Sequence, residues 1–498
     1  MDSGDKKHLA ILLFIFMAFR LPFIQSSPLI LDENLYAQMT LEFAGRPAFV
    51  TTYLGFETGW KPPLYFLLNV PFVMLGKAAG FGIELTYRLS GLAFSLAALA
   101  VLYYLVKNLY KNAQLAFVSS TIYAVLYPVV FVNNLGVTDN LFMLLELLSL
   151  YYYFRGRDRM DFAAGGALAF LAYFAKTVMA FAIPLLAVFF WYFKDRKILG
   201  DRTFLLSLCS TPVAAAIFAY ALSQSSLLGS DASTFLQKFD LQEKPFATSM
   251  LRALGYFLME GLPFTGFFLY GLWKKLPGFD PFLLVWLSLL PVLIWGSNTG
   301  MPWYLLPALP AVAVVGAVVF IDAKGKLDAI AAVALAICIL ISFVYAALAY
   351  ATAYERAWER DAGVYLAGKG NVYFIGTYAP GAVFYKLETE RAEGSLQIGK
   401  ESFSNVCMGV LGKGNLRLYE NREFVSEVLA NKPEKFNFTR NFGDVFWETR
   451  PFLMECNEFK ADYILASEVP KSIVEGFGYR LDREFGQRLV AYKREGTG

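Results

Sequence analysis

Two short polar segments stand out against an apolar background: the Asp32-Glu33 pair, and Gly59-Trp60-Lys61-Pro62-Pro63 a little further on. A carboxylate can take the proton of a hydroxyl, and a lysine held nearby can grip a phosphate. Side by side, these abilities describe group transfer from a lipid-borne donor at a membrane surface. Charges beside a bilayer are costly unless they are used. Asp32 and Glu33 are both candidates for the base, and either could equally cap the helix expected over Asn34–Phe43, since a cap and a base are compatible roles.

The elements that must position these groups follow from composition. The chain of 498 residues is 57% hydrophobic and 17% aromatic, which places it among polytopic α-helical membrane proteins. Its net charge is only +3, and the basic residues fall in short clusters between apolar runs. That pattern signals orientation in a membrane and excludes a nucleic-acid surface. The single histidine is His8, beside Lys6 and Lys7, so mechanisms built on an imidazole base or a histidine-ligated metal are excluded. Cys209 and Cys338 lie in apolar runs, leaving Cys407 and Cys456 for at most one disulfide.

The first apolar run, 9–24, follows Lys6 and Lys7, contains Arg20 and lacks a small-residue cleavage site, as a retained helix does. Further apolar runs at 86–106, 114–132, 138–154, 161–175, 177–193, 203–222, 251–273, 280–296, 303–321 and 328–352 bring the expected total to about eleven spans. The basic clusters Lys107/Lys111, Arg155–Arg159, Lys194–Lys197, Lys274-Lys275 and Lys324/Lys326 alternate with these runs if each is cytoplasmic. The parity requires 62–76 to lie along the outer interface as a juxtamembrane or re-entrant helix, started by its paired prolines. It also puts the first loop, 25–85, and the tail outside the cell.

Residues 1–353 thus form the expected transmembrane domain, and 354–498 a small extracytoplasmic α/β domain. In the tail, strand-like runs occur at Val372–Ile375, Val406–Leu411, Tyr463–Ala466 and Arg488–Tyr492, with a helical pattern at Arg422–Leu429. No glycine-rich phosphate loop or nucleophile motif accompanies them, which suits a cap or acceptor-positioning module. Asn437-Phe438-Thr439 is a glycosylation sequon.

With this topology, Arg20, Asp32, Glu33, Arg46, Glu57, Lys61, Arg88, Asp139 and Lys176 all fall in outer loops or near outer helix ends. Basic side chains at helix ends often snorkel with no further role, but two carboxylates among them argue for a site. When a glycosyl phosphate breaks, negative charge grows on the leaving phosphate, and fixed lysines and arginines lower that barrier. Arg20, Lys61, Arg88 and Lys176 are the candidate phosphate cations. Arg46, Glu57, Trp60, Asp139, Trp303 and Tyr304 are candidate pocket residues, the last two also fitting an ordinary interfacial aromatic belt. Loop 223–250 is expected to cover the cavity.

Leu31-Asp32-Glu33-Asn34-Leu35-Tyr36-Ala37, Gly45-Arg46-Pro47, Lys61-Pro62-Pro63-Leu64-Tyr65, Tyr87-Arg88-Leu89-Ser90, Thr138-Asp139-Asn140, Ala175-Lys176-Thr177 and Pro302–Pro307 occur in this order. The ordered set resembles the polyprenyl-phosphate-dependent GT-C glycosyltransferases. Within them it is similar to the protein O-mannosyltransferases and the bacterial enzymes that place aminoarabinose on lipid A. The resemblance covers residues 9–320 and rests on the order, since an Asp-Glu or a Lys-Pro-Pro alone is weak. It implies an integral plasma-membrane enzyme that transfers a sugar, mannose or another hexose or pentose, with inversion. The donor implied is a polyprenyl or dolichyl phosphate sugar, and the acceptor a protein, lipid or glycan hydroxyl. By the same resemblance Asp32 is the base, and Lys61, Arg88 and Lys176 are the lipid-phosphate contacts.

Two features depart from those families. The aminoarabinose branch has an acidic residue directly before its Lys-Pro and a histidine-containing metal site, whereas Trp60 precedes Lys61 here and no outer histidine exists. A zinc site of that kind is therefore not expected, and Glu57 is the one candidate for a weak divalent-cation contact. The mannosyltransferases carry His-Pro-Pro and an inserted soluble domain, in place of the Lys-Pro-Pro and carboxy-terminal domain of this chain. Modification of a lipid or lipid-linked oligosaccharide is an alternative to a protein acceptor. A transporter would show internal repeats and charge near the bilayer midplane, and neither is evident.

Overall fold

The computed structural model of the protein describes residues 3–25, 27–30, 32–53, 56–58, 61–224, 255, 263–275, 280–297, 304–321, 329–353, 357–370, 372–376, 380–393, 406–410, 462–466, 471–476, 478–486 and 489–495. In chain order its α-helices are α1 (Ser3–Arg20), α2 (Asp32–Gly45), α3 (Leu64–Ala78), α4 (Ile83–Tyr110), α5 (Ala113–Val125), α6 (Tyr127–Asn133), α7 (Thr138–Arg155), α8 (Arg159–Ala175), α9 (Ala182–Lys194), α10 (Arg202–Leu208), α11 (Ser210–Ser223), α12 (Phe264–Lys275), α13 (Pro281–Ser297), α14 (Leu309–Val318), α15 (Ala329–Ala353), α16 (Trp358–Leu366), α17 (Pro380–Ala392) and α18 (Lys471–Gly476). The strands are β1 (Thr51–Tyr53), β2 (Phe56–Thr58), β3 (Val372–Gly376), β4 (Val406–Val410), β5 (Tyr463–Ala466), β6 (Tyr479–Phe485) and β7 (Leu489–Arg494).

These elements divide into two compact units. One comprises Met1–Ser26, Ala48–Thr51 and Glu57–Ala353; the other comprises Ser27–Pro47, Thr52–Phe56 and Tyr354–Gly498. The helical unit is punctuated by local caps. Asn112 accepts hydrogen bonds from the backbone N–H groups of Gln114 and Leu115 to open α5, and Asp201 does the same for Thr203 and Phe204 at α10. Gly156 closes α7 in the left-handed region at φ 45°, where a Cβ would meet the Trp191 ring at 2.2 Å.

Every apolar run with described residues contains helix, but some are interrupted, as 114–132 is between α5 and α6 and 203–222 between α10 and α11. Among the described residues three helical stretches are long and apolar enough to cross a membrane: Ile83–Tyr110, Arg202–Ser223 and Ala331–Leu348. A fourth is reached if α5 and α6 count as one span bent by 67°. The expectation of about eleven full spans is thus not confirmed among the described residues, where shorter apolar helices such as Leu64–Ala78 and Met179–Lys194 also occur. The physical reasons differ from run to run. Leu126 adopts an extended backbone and Pro128 sits at the start of α6, so the run 114–132 bends there. α7 is 18 residues long but carries Asp139, Glu146 and Arg155.

Inside the helical unit, polar side chains brace the packing. Arg20, fully buried at the end of α1, donates to the Ala124 carbonyl and, at 2.8 Å, to Asn133 Oδ1. Asn133 in turn donates to Asn140 Oδ1 at 2.9 Å, and Asn140 Nδ2 donates to the Val132 and Leu135 carbonyls. These bonds fasten α1, α5, α6 and α7 to one another. They satisfy carbonyls that the α6–α7 turn exposes, which an apolar interior would otherwise leave costly.

The second unit holds a five-stranded sheet in the order β4-β3-β5-β7-β6. β3 runs parallel to β4 and β5, whereas β7 is antiparallel to β5 and β6. The four strand-like runs of the tail are thus strands, and β6 adds an exposed, charged edge that their pattern did not reveal. The sequence places the whole first loop with the transmembrane helices, but Ser27–Pro47 and Thr52–Phe56 belong to this unit instead. The cause is polar: the Leu29 N–H donates to the Tyr385 hydroxyl at 2.8 Å, and Arg391 Nη2 donates to Gln38 Oε1 at 2.7 Å. Tyr53 is buried in the same unit, and burial together with the charges of Glu42 and Glu359 pushes its hydroxyl pKa well up.

α4 lies close against the turn that leads into α7, because a Cβ on Gly91 would stand 2.4 Å from the Leu135 carbonyl oxygen and one on Gly136 2.3 Å from that of Tyr87. Both neighbours are backbone and cannot swing aside. Gly91→Ala is expected to lower stability by about 2 kcal/mol, measured as a lower melting temperature in detergent. Gly266→Ala, where an added Cβ meets nothing within 4 Å, should leave the melt where it is.

Candidate active site

The first turn of α2 separates its two carboxylates. Glu33 is buried, and its Oε2 accepts the Ile30 N–H at 3.0 Å while its own N–H returns a bond to the Ile30 carbonyl. This is the reach-back half of a capping box, and it commits Glu33 to starting the helix. Asp32 is half-buried, and its Oδ2 accepts a hydrogen bond from the Tyr36 hydroxyl at 3.2 Å. Both carboxylates lie in the first turn of α2, at the positive end of the helix dipole. At the other end of α2, Arg46 is exposed.

The candidate cations of the helical unit are held in three ways. Lys61 is half-buried, its carbonyl accepts the Thr51 hydroxyl at 2.9 Å, and Pro62 and Pro63 then open α3 with no N–H to leave unpaired. Arg88 is buried on α4, and its Nη1 donates to the Ile24 carbonyl at 2.7 Å. Arg20, expected among the phosphate cations, is enclosed by Ala124, Asn133 and the Phe16 ring, whose centroid lies 4.3 Å from its guanidinium. Its contacts account for a role in packing.

Three sequence candidates do come together. Lys176 follows the end of α8 with an extended backbone, φ −152° and ψ 95°, which turns its side chain out of the helical path. Its ammonium forms a buried ion pair with Asp139, in the first turn of α7. The Tyr304 ring closes over the ammonium, with its centroid 4.9 Å from Nζ.

One residue of this neighbourhood escaped the sequence reading. Glu146 lies on α7 seven positions after Asp139, hence on the same helical face. It is wholly buried, neither carboxylate oxygen has a hydrogen-bond partner among the described residues, and the charge of Lys176 acts on it. The signal was available: an ionisable residue inside an apolar run, spaced two turns from another acid, invites a search for a partner. Asn133 and Asn140, which fix Arg20, carried no comparable mark.

Trp60, Trp303, the Glu57 side chain, loop 225–250, Cys456, the run 422–429 and Asn437 lie outside the described residues. Among the described residues no three His, Cys, Asp or Glu side chains gather in a way that could hold a metal ion.

No protein-family model matches the chain, and no curated protein sequence matches it. Solved structures do. ArnT from Cupriavidus metallidurans bound to undecaprenyl phosphate superposes with a TM-score of 0.63 at 14% identity, covering 98% of this chain and 98% of that one. The same protein in the apo state gives 0.63 at 15% identity. The archaeal oligosaccharyltransferase AglB from Archaeoglobus fulgidus, in complex with an inhibitory peptide and a dolichol-phosphate, gives 0.52 at 14% identity, covering 93% of this chain and 69% of that one. The chain has a GT-C-like fold.

Within this GT-C-like fold the Lys176–Asp139 pair is a structural test point, because removing one partner strands the other charge. Lys176→Met is expected to destabilise the protein by about 3 kcal/mol. Combining it with Asp139→Asn should recover most of that loss, read by unfolding in detergent. A double variant no more stable than the single one would show that the pair does not hold these helix ends together.

Proposed function

We propose that the protein is an inverting glycosyltransferase that moves a sugar from a polyprenyl-phosphate carrier to an acceptor hydroxyl on the extracytoplasmic side of the membrane. The observation that carries this reading is the likeness of fold over nearly the whole of both chains to ArnT, a protein seen with undecaprenyl phosphate bound. AglB, of related fold, was seen with a dolichol-phosphate. The sidedness is supported by basic residues at the carboxy-terminal ends of α4, α7 and α9, namely Lys107, Arg155 and Lys194.

In this reaction the acceptor oxygen bonds to the anomeric carbon as the bond from that carbon to the phosphate oxygen breaks. The acceptor proton passes to Asp32, and the electron pair leaves with the prenyl phosphate. Asp32 is the base rather than Glu33, because the Glu33 carboxylate is already engaged by the Ile30 N–H. The Tyr36 hydroxyl orients the Asp32 carboxylate. Lys61 is the principal cation for the leaving phosphate, with Arg88 in support. Lys176 is already balanced by Asp139, so a phosphate must compete for it. Mannose is the first donor to try, and the acceptor is a protein, a lipid or a glycan.

The test uses purified full-length protein, radiolabelled polyprenyl-phosphate sugars and fractionated protein, lipid and glycan acceptors. Asp32→Asn is expected to lower turnover by about a thousandfold with donor binding nearly unchanged. Lys61→Ala should weaken donor binding by about tenfold. Equal turnover by wild type and Asp32→Asn would remove Asp32 from the base role, and absence of transfer with every donor would end the glycosyltransferase reading.

A further inference from the structure

α2 carries two polar stripes on opposite sides. Asp32, Tyr36 and Thr40 repeat every four residues on one, linked by the Tyr36 hydroxyl to Asp32 and by the Thr40 hydroxyl to the Tyr36 carbonyl at 2.7 Å. Asn34, Gln38 and Glu42 repeat on the other. A two-residue offset turns a helix by about 200°, so the second stripe faces away from Asp32.

The second stripe is held by the carboxy-terminal segment. Arg391 on α17 gives Nη2 to Gln38 Oε1 at 2.7 Å and Nη1 to Glu388 Oε2 at 3.1 Å, while Gln38 Nε2 donates to Glu42 Oε1 at 2.7 Å. Just before α2, the Leu29 N–H donates to the Tyr385 hydroxyl at 2.8 Å, and the Leu29 carbonyl accepts Asn34 Nδ2 at 2.9 Å. α17 is itself anchored. The Gly381 N–H donates to Glu359 Oε2 of α16 at 2.8 Å, and Glu390 accepts both Lys386 Nζ and the Gly368 N–H. All of these groups belong to one compact unit.

We infer that Arg391 and Tyr385 are positioning residues for Asp32: α17 latches the rear stripe of α2 and so fixes where the Asp32 carboxylate stands. This rests on the reading of Asp32 as the base. It gives the carboxy-terminal segment a part in catalysis without any of its side chains touching substrate. A misplacement of about 1 Å can cost about a hundredfold in rate, so a two-point latch on a short helix sets turnover through the position of Asp32.

The experiment compares full-length wild type with Arg391→Met, Arg391→Lys and Tyr385→Phe by hydrogen exchange of the amides of 34–43, by kcat and donor KM, and by melting temperature. Arg391→Met is expected to speed exchange in α2 selectively and to lower kcat about tenfold to a hundredfold, with donor KM within about twofold. Arg391→Lys, which keeps a donor without the planar fork, should restore part of kcat. Exchange in α2 equal to wild type overturns the latch. Faster exchange with unchanged kcat overturns the positioning role, as does a loss of activity that only follows the folded fraction. If Arg391→Met does not fold, Tyr385→Phe, which removes the acceptor of one N–H, is judged by the same criteria. If wild type transfers no sugar from any prenyl phosphate, the base assignment falls with the proposed function, and the positioning role falls with it. The exchange pattern then reports the latch alone.

Discussion

The buried pair of Lys176 and Asp139 exists only because two helices stop where it forms. A continuous helix through 160–194 would carry the lysine along its own surface. The break after Ala175 turns the backbone and delivers the ammonium to the first turn of α7, where the aspartate also meets the helix dipole. Neither charge could be buried alone at tolerable cost. The same constraint governs Arg20, whose guanidinium is matched to carbonyl and amide oxygens at the bend between α5 and α6. Interruptions in apolar runs are therefore the places where this fold admits polar side chains.

Among the buried ionisable side chains Glu146 departs from this pattern. It sits mid-helix, where the α7 backbone is fully satisfied, and its oxygens have no partner among the described residues. Seven positions upstream, Asp139 already holds the nearby ammonium. Lys176 thus faces two acids, Asp139 as an ion pair and Glu146 through its charge, whereas in the Arg20 network Asn133 joins the guanidinium to Asn140.

Apolar runs and strand alternation were legible because they are local. α4 and α15 follow long runs without breakers, and β3, β4, β5 and β7 follow short β-branched or aromatic runs. Span number was not legible from length alone: a break such as Leu126 or Lys176 is a backbone event that depends on what the freed groups find to bond. The different hydrogen bonding of Asp32 and Glu33 was invisible for a related reason. Adjacent carboxylates look alike in sequence, and only the closing bond from Ile30 to Glu33 distinguishes cap from base candidate. β6 escaped because its exposed charged residues lack the alternation of a half-buried strand.

The hardest feature to read was the membership of the first loop in the carboxy-terminal unit. Gln38 and Arg391 stand 353 positions apart in the chain, and no local pattern links them. Their pairing has a consequence for the order of folding. α2 is synthesised long before α17, so Gln38 cannot meet Arg391 until that helix has emerged, whereas Asn34 and Glu42 find the Leu29 carbonyl and the Gln38 amide close at hand. Until then the Gln38 carbonyl oxygen is best left hydrated, since burying it unpaired would be costly. The polar character of α2, which looks wasteful for a helix so thoroughly buried in the folded protein, is matched there by hydrogen bonds from Arg391, from Gln38 to Glu42 and from Asn34 to the Leu29 carbonyl.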